Sequence, residues 1–225
     1  MNYAISAAES LNAAVAGVLT RMTTGVGATF LVASLLAASG IVPALFGGIL
    51  GYVLIFAPLV FSLLIAFRAE TMSKSALQAC FYAFAATMGV SLSLLFHAFT
   101  TASIVGALFA TTISFGALAG WGYFTKRDLS SWGPYLFAGV IGLIITSIVG
   151  IFIGSSTLQM VINSLAVIIF LGLTAYDMNR IRDMFWNTAN EEEIGRLQWL
   201  GALSLYINFI NIFTSLLQLF GSKEE

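Results

Sequence analysis

The stretch Leu173–Arg182, LTAYDMNRIR, places one carboxylate, Asp177, at the end of a long and almost uncharged run. The chain then turns polar, and a last apolar run begins near Trp199 and reads LYINFINIF around Asn208. A charge inside a membrane span is costly unless it is paired or faces a cavity. We therefore expect Asp177 to face the interior of a helical bundle with Asn208 as its partner.

The depth of the two side chains depends on where the helices end. If the last helix enters the membrane at Trp199 and rises 1.5 Å per residue, Asn208 lies about 13 Å inside the surface. Asp177 reaches that depth if its own helix continues into Asn179–Asp183. The alternative is an interfacial acid that meets water and nearby arginines.

Composition indicates a polytopic membrane protein. The chain has 225 residues, of which 59% are hydrophobic and 8% charged, whereas soluble domains carry about 25% charged residues. The net charge of -1 gives no reason to expect a nucleic-acid partner. The single cysteine, Cys80, excludes an intrachain disulfide and a cysteine-based metal cluster.

Seven runs approach the roughly 20 apolar residues that a membrane-spanning helix needs. They predict an all-α membrane protein with seven transmembrane helices within one domain, residues 24–221, at 24–45, 47–67, 76–98, 101–124, 133–154, 157–178 and 199–220. Residues 1–23 are weakly amphipathic and predict a short interfacial or cytoplasmic helix, with a disordered tail as the alternative. Residues 222–225 form a C-terminal tail.

The positive charges predict the orientation. If all seven runs cross, every Lys and Arg except Lys223 falls on one side of the membrane. Because Lys and Arg are enriched on the cytoplasmic side, the N-terminus is expected inside and the C-terminus outside. A re-entrant last segment is the alternative, and it would place the C-terminus inside.

The last helix has a start signal ahead of its apolar part. Asn190 precedes Glu191, Glu192 and Glu193, which matches an N-cap with acids in the first turn and Glu193 at the capping-box position. The helix is therefore expected to begin near residue 191 and to run for about thirty residues.

Four further polar residues are candidates for an ion path. Arg68, at the end of the second run, either pairs with Asp177 or reaches toward lipid phosphates. His97 is either an interfacial side chain or a proton relay. Asn163 and Asn211 either form hydrogen bonds between helices or line the path.

Catalysis is not expected. A retinal protein needs a lysine in its last helix, and residues 199–220 contain none. A zinc hydrolase needs several histidines, and the chain has His97 alone, without an HExxH motif. No nucleophile motif accompanies His97, and no cofactor is predicted.

Three segments together resemble the transmembrane Bax inhibitor motif family, also called Bax inhibitor-1-like. They are WGYFTKRDLSSWG (121–133), VIIFLGLTAYDMNRIR (167–182) and LGALSLYINFINIFTSLLQLFG (200–221). The resemblance implies six helices in two three-helix layers around a central C-terminal seventh. It also implies a pH-sensitive calcium leak, closed by two aspartates on the sixth and last helices and latched by an arginine on the second. Some bacterial members are linked to regulation of a membrane-bound quality-control protease.

Carried over by position, Asp177 is the sixth-helix aspartate and Arg68 the expected latch. The last-helix motif usually reads LYLDFINLF, so Asn208 stands where the second aspartate would be. Two carboxylates in contact share a proton and can switch near neutral pH, which an Asp–Asn pair cannot do. We expect a calcium-permeable leak with a weak or absent pH response, without a firm metal site and with Asp177 as the candidate calcium contact.

The alternative function is that of a regulator without transport, which binds a membrane quality-control protease or another membrane protein. In both cases the lipid bilayer is the surrounding partner. The short chain and its KRD-type loop, like those of bacterial members, predict a bacterial inner membrane. The sequence gives no prediction of an oligomeric state.

Overall fold

A computed structural model of the chain describes residues 2–68, 71–186, 188 and 190–224, most of them in helices. Met1 and Glu225, which belong to the predicted terminal segments, lie outside these residues. Across the described part, the chain forms eight α-helices and one 3₁₀ turn at Ser130–Trp132. The helices are α1 (Asn2–Ala38), α2 (Val42–Leu45), α3 (Gly48–Arg68), α4 (Lys74–Ala98), α5 (Thr101–Phe124), α6 (Gly133–Ile153), α7 (Ser156–Trp186) and α8 (Glu191–Phe220).

Six segments of the described chain are long and apolar enough to cross a membrane: Glu9–Ala38, Lys74–Ala98, Thr101–Phe124, Ser130–Ile153, Ser156–Trp186 and Glu191–Phe220. The chain is therefore an integral membrane protein, as its composition predicts. The second predicted span corresponds to α3, which has 21 residues from Gly48 to Arg68. The seventh crossing and the two-layer arrangement stay predictions. Within α8, 67% of the apolar window is buried, against at most 33% in the other spans.

The first span differs from the prediction at both ends. Helix α1 is continuous from Asn2 to Ala38, with no break at residue 23. The predicted end at residue 45 is also wrong, because Gly40 adopts a positive φ of 71° and residues 42–45 form the separate helix α2. Hydropathy alone set the boundary after residue 23, but residues of the segment 1–23 are packed too. Four of them share one buried face of α1: Ala14, Val15, Val18 and Met22.

The predicted start of the last helix is confirmed, and two of the connections between helices are short. Two residues link α4 to α5, and two link α6 to α7, where Gly154 has a φ of 63°. Most of the polar stretch 179–198 is helical, since α7 continues to Trp186 and α8 begins at Glu191. Asn190 Oδ1 accepts a hydrogen bond from Glu192 N at 3.0 Å, as an N-cap does, and α8 has 30 residues.

The chain divides into two compact units, and α8 contributes to both. The first unit contains Met1–Thr101, Phe185–Tyr206 and Lys223–Glu225; the second contains Ala102–Met184 and Ile207–Ser222. In the first unit the buried Thr29 hydroxyl lies 2.8 Å from Ala85 O, to which it donates, and 2.7 Å from the Tyr206 hydroxyl. Thr29 and Tyr206 are both fully buried, so this bond fixes α1 against α8.

The first unit also joins the N-terminal half of α1 to the beginning of α8. Gln198 Nε2 donates to Ala14 O at 3.1 Å, and the Arg21 guanidinium lies over the buried Trp199 ring at 4.9 Å from its centroid. Arg196 Nε donates to Met72 O at 3.1 Å. These contacts bring the basic residues of α1 and α8 to one end of this unit.

Candidate functional site

The second unit brings Asp177 and Asn208 into direct contact. Asn208 Nδ2 donates a hydrogen bond to Asp177 Oδ2 at 2.7 Å. Asp177 is 8% exposed and Asn208 3% exposed. The structure therefore brings the predicted pair together, with Asp177 buried.

Helix length explains why the pair is buried. Helix α7 continues for more than two turns beyond Asp177, to Trp186, because nothing in the polar sequence after Asp177 breaks a helix. Asn208 lies more than four turns inside α8, since that helix starts at its cap on Glu191. The neighbours of both residues are also buried: Thr174, Ala175, Met178, Leu205, Tyr206 and Phe209.

The chemistry of the pair follows from its donor and acceptor. An amide donates its hydrogen bond without giving up a proton, so the contact does not require a shared acid proton. The Asn208–Asp177 distance of 2.7 Å lies at the short end of the range of N–H···O hydrogen bonds. The pair can therefore hold a buried negative charge, but it lacks the second titratable group of a proton-sharing dyad.

Asn179, two residues after Asp177, was not predicted as a site residue. Its side chain is 2% exposed and bonds to three backbone groups of the second unit. Nδ2 donates to Gly122 O at 3.3 Å and to Arg127 O at 3.4 Å, and Oδ1 accepts from Leu129 N at 3.4 Å. Its signal in the sequence was a polar amide directly after residue 178, where the sixth run was predicted to end.

Arg182 also has a structural partner that the charge pattern did not reveal. NH1 donates to Tyr123 O at 2.9 Å and to Thr125 O at 2.7 Å, at the end of α5. NH2 forms an ion pair with Asp183 Oδ1 at 2.8 Å. Arg182 thus joins α7 to the end of α5, in addition to contributing one of the positive charges that predict the orientation of the chain.

Arg68 and His97 lie at helix ends in the first unit. Arg68 is in the last turn of α3 with an exposed side chain, and its carbonyl accepts from Thr71 N at 3.0 Å. His97 is in the last turn of α4 and is also exposed. The structure therefore does not place either residue in the pair's unit, and the latch role of Arg68 stays a prediction.

The amides of Asn163 and Asn211 are bonded within their own helices. Asn163 is 5% exposed and accepts from Gln159 Nε2 at 3.3 Å. Asn211 Nδ2 donates to Ile207 O at 2.8 Å. These bonds differ from the interhelical bonds that we expected, and neither residue is a described contact of Asp177.

The described part of the chain contains no group of three or more His, Cys, Asp and Glu side chains that could hold a metal ion. One carboxylate and one amide supply fewer oxygen ligands than the six to eight that calcium takes in a resident site. A calcium contact at Asp177 would therefore be that of a passing ion.

A sequence model of the protein family described as "Inhibitor of apoptosis-promoting Bax1" matches residues 11–225. The chain belongs to this Bax inhibitor-1-like family. The match includes all three segments on which the resemblance rests, and it covers α1 from residue 11 onward.

Bacterial proteins are among the relatives of this Bax inhibitor-1-like chain. A protein of Caulobacter vibrioides is 40% identical over 174 residues, which cover 77% of this chain and 70% of that protein. Inner membrane protein YbhL of Escherichia coli is 36% identical over 172 residues, or 76% of this chain and 74% of YbhL. A Deinococcus radiodurans protein is 35% identical over 156 residues, or 69% and 68% of the two chains.

Proposed function

We propose that this Bax inhibitor-1-like protein is a cation leak, with calcium as its ion, closed at Asp177 and Asn208. The observation that carries the proposal is the hydrogen bond between the two side chains, both buried within candidate spans. Ionisable groups inside membrane segments are rare and are typical of ion paths. Asp177 would attract the cation, and its bond to Asn208 would keep the path closed.

The proposed leak has a weak pH response. In a pair of aspartates, the two carboxylates share one proton, and loss of that proton near neutral pH drives them apart. The Asn208 amide donates the same hydrogen bond whether the pH is neutral or mildly acidic. Closure at this pair therefore does not depend on a bound proton.

Calcium flux into liposomes tests the proposal. The purified protein is reconstituted, and flux is followed between about pH 6 and pH 8 beside Asn208→Asp, which restores a carboxylate pair. We expect the wild type to change little with pH and Asn208→Asp to change steeply. Asp177→Asn in the same assay should alter the wild-type flux. A wild type as steep as Asn208→Asp would contradict the role given to Asn208.

A second candidate is a regulator that does not transport and that binds a membrane quality-control protease or another membrane protein. The permanent amide bond favours this function, because a pair whose hydrogen bond is kept at all pH values can have a purely structural role. Purified protein without flux, together with an Asp177→Asn strain that keeps its cellular phenotype, would select this function over the leak.

The proposed location is a bacterial inner membrane, with the N-terminus cytoplasmic and the C-terminus outside. The relative YbhL is an inner membrane protein, and contacts within the first unit gather Arg21 and Arg196 at one end. The enrichment of Lys and Arg on the cytoplasmic side then orients that end inward. Alkaline phosphatase fused after residue 224 should be active, and the same fusion after Lys126 should be inactive. The reverse pattern would overturn the orientation.

A further inference from the structure

The end of α5 is completed by side chains from another helix. The last carbonyls of a helix have no partner within it and need caps. Thr125 N bonds to Trp121 O at 2.9 Å, in the usual helical pattern. The next two carbonyls are met from α7, Gly122 O by Asn179 Nδ2 at 3.3 Å and Tyr123 O by Arg182 NH1 at 2.9 Å.

The same two side chains also hold the loop that follows α5. Arg182 NH1 donates to Thr125 O at 2.7 Å, and Asn179 bonds to both Arg127 O and Leu129 N. Leu129 is 2% exposed, so the loop is anchored at a buried residue. We call Asn179 and Arg182 the α5 cap. The positive charge of Arg182 also suits its place beside a helix C-terminus, where the helix dipole is negative.

The α5 cap lies on a different face of α7 from Asp177. Asn179 and Arg182 follow Ala175 at spacings of four and seven residues, which places all three on one side of the helix. Ala175 is the residue against which Gly122 packs; a Cβ at 122 would lie 2.9 Å from Ala175 Cα. Asp177 is two residues from Asn179, about 200° around the axis, and it points to Asn208.

We propose that the α5 cap consists of positioning residues, which hold α7 in the rotation and height at which Asp177 meets Asn208. This inference rests on the proposed gate and deepens it. Withdrawing Asp177 by turning or sliding α7 would strip the caps from Gly122 and Tyr123 and free the α5–α6 loop. The cap thus supplies, from within the second unit, the stabilisation of the closed state that the resemblance assigned to Arg68.

Arg182→Gln and Asn179→Ala test the cap, with Arg180→Gln as the matched control. Arg180 is an exposed arginine on the same helix, so its variant removes an equal charge without a contact to α5. Two quantities are measured on reconstituted protein: calcium leak, and amide hydrogen exchange of the peptides covering 125–132 and 172–178. Arg182→Lys keeps the charge but replaces the forked guanidinium by one nitrogen.

We expect Arg182→Gln to speed exchange in both peptides by about tenfold and to raise the leak by a similar factor, since a charge-assisted bond shifts an equilibrium by about that much. Arg180→Gln should match the wild type, and Arg182→Lys should be intermediate. If exchange is faster in both peptides but neither the wild type nor any variant, Asn208→Asp included, leaks calcium, the result would support the α5 cap and contradict the proposed leak. Exchange at 172–178 equal in Arg182→Gln and Arg180→Gln would overturn the inference, as would faster exchange confined to 125–132. If Arg182→Gln fails to fold, Asn179→Ala and Arg182→Lys are judged by the same exchange criterion.

Discussion

Asn208→Leu should destabilise the protein by about 2 kcal/mol. Leucine fills nearly the same volume, so the main loss is the bond from Asn208 Nδ2 to Asp177 Oδ2 at 2.7 Å. Hydrogen bonds between membrane helices average about 0.6 kcal/mol and reach about 1.7 kcal/mol. An ionised acceptor roughly doubles the strength of a bond, and both side chains are less than 10% exposed. The upper part of the range therefore applies.

Thermal unfolding in detergent measures the effect. For a chain of this size, about 2 kcal/mol corresponds to a Tm lower by about 4–8 °C. Asn211→Leu is the control, because Asn211 makes its amide bond to a carbonyl of its own helix, Ile207 O. Its loss should cost about 0.5 kcal/mol. Equal Tm values for the two leucine variants would refute the claim that the Asp177–Asn208 bond contributes more than an ordinary helical amide.

Gly122→Ala should lower the Tm by about 2–12 °C, because its Cβ would meet the backbone of Ala175 and overpacking costs about 1–3 kcal/mol. Gly120→Ala, two residues earlier and with open space around its Cβ, should leave the Tm unchanged or raise it; the opposite order would contradict the close approach of α5 and α7. Tyr206→Phe keeps the ring contacts but loses the bond to Thr29, so the Tm should fall by about 2–4 °C. A Tyr206→Phe Tm equal to that of the wild type would show that the Thr29 bond adds no net stability.

Hydropathy predicts most of the spans but not where the helices begin and end. Hydropathy placed the start of the first run at residue 24, whereas its helix begins at Asn2, because hydropathy weighs each residue by its transfer into lipid. Val18 and Met22 are buried by α1's packing within the protein instead. The N-cap signal predicted a helix boundary better than hydropathy did, because Asn190 directly precedes the first residue of α8, Glu191.

The candidate pair could be predicted because a carboxylate and an amide stand out in apolar helices. The α5 cap could not, since the groups that Asn179 and Arg182 contact are backbone carbonyls, which every sequence contains. Asn179 also lies just past residue 178, where the sixth run was predicted to end, although its helix continues to Trp186. The polar residues after Asp177 thus belong to the last turns of α7, where some of them have buried partners, and they do not mark the residue at which α7 ends.

The two helices that meet at Asp177 and Asn208 are each held on another side. On α7 the hold is Asn179, about 200° from Asp177; on α8 it is Tyr206, two residues before Asn208 and again about 200° away. Tyr206 is bonded to Thr29 in the first unit, while Asn179 is bonded to the α5 end in the second. Separating the pair therefore costs more than one hydrogen bond. In the proposed leak, Asn208 in place of a second aspartate leaves no shared proton whose loss would open the pair, and the other bonds are intact, so we expect the pair to stay closed across neutral pH.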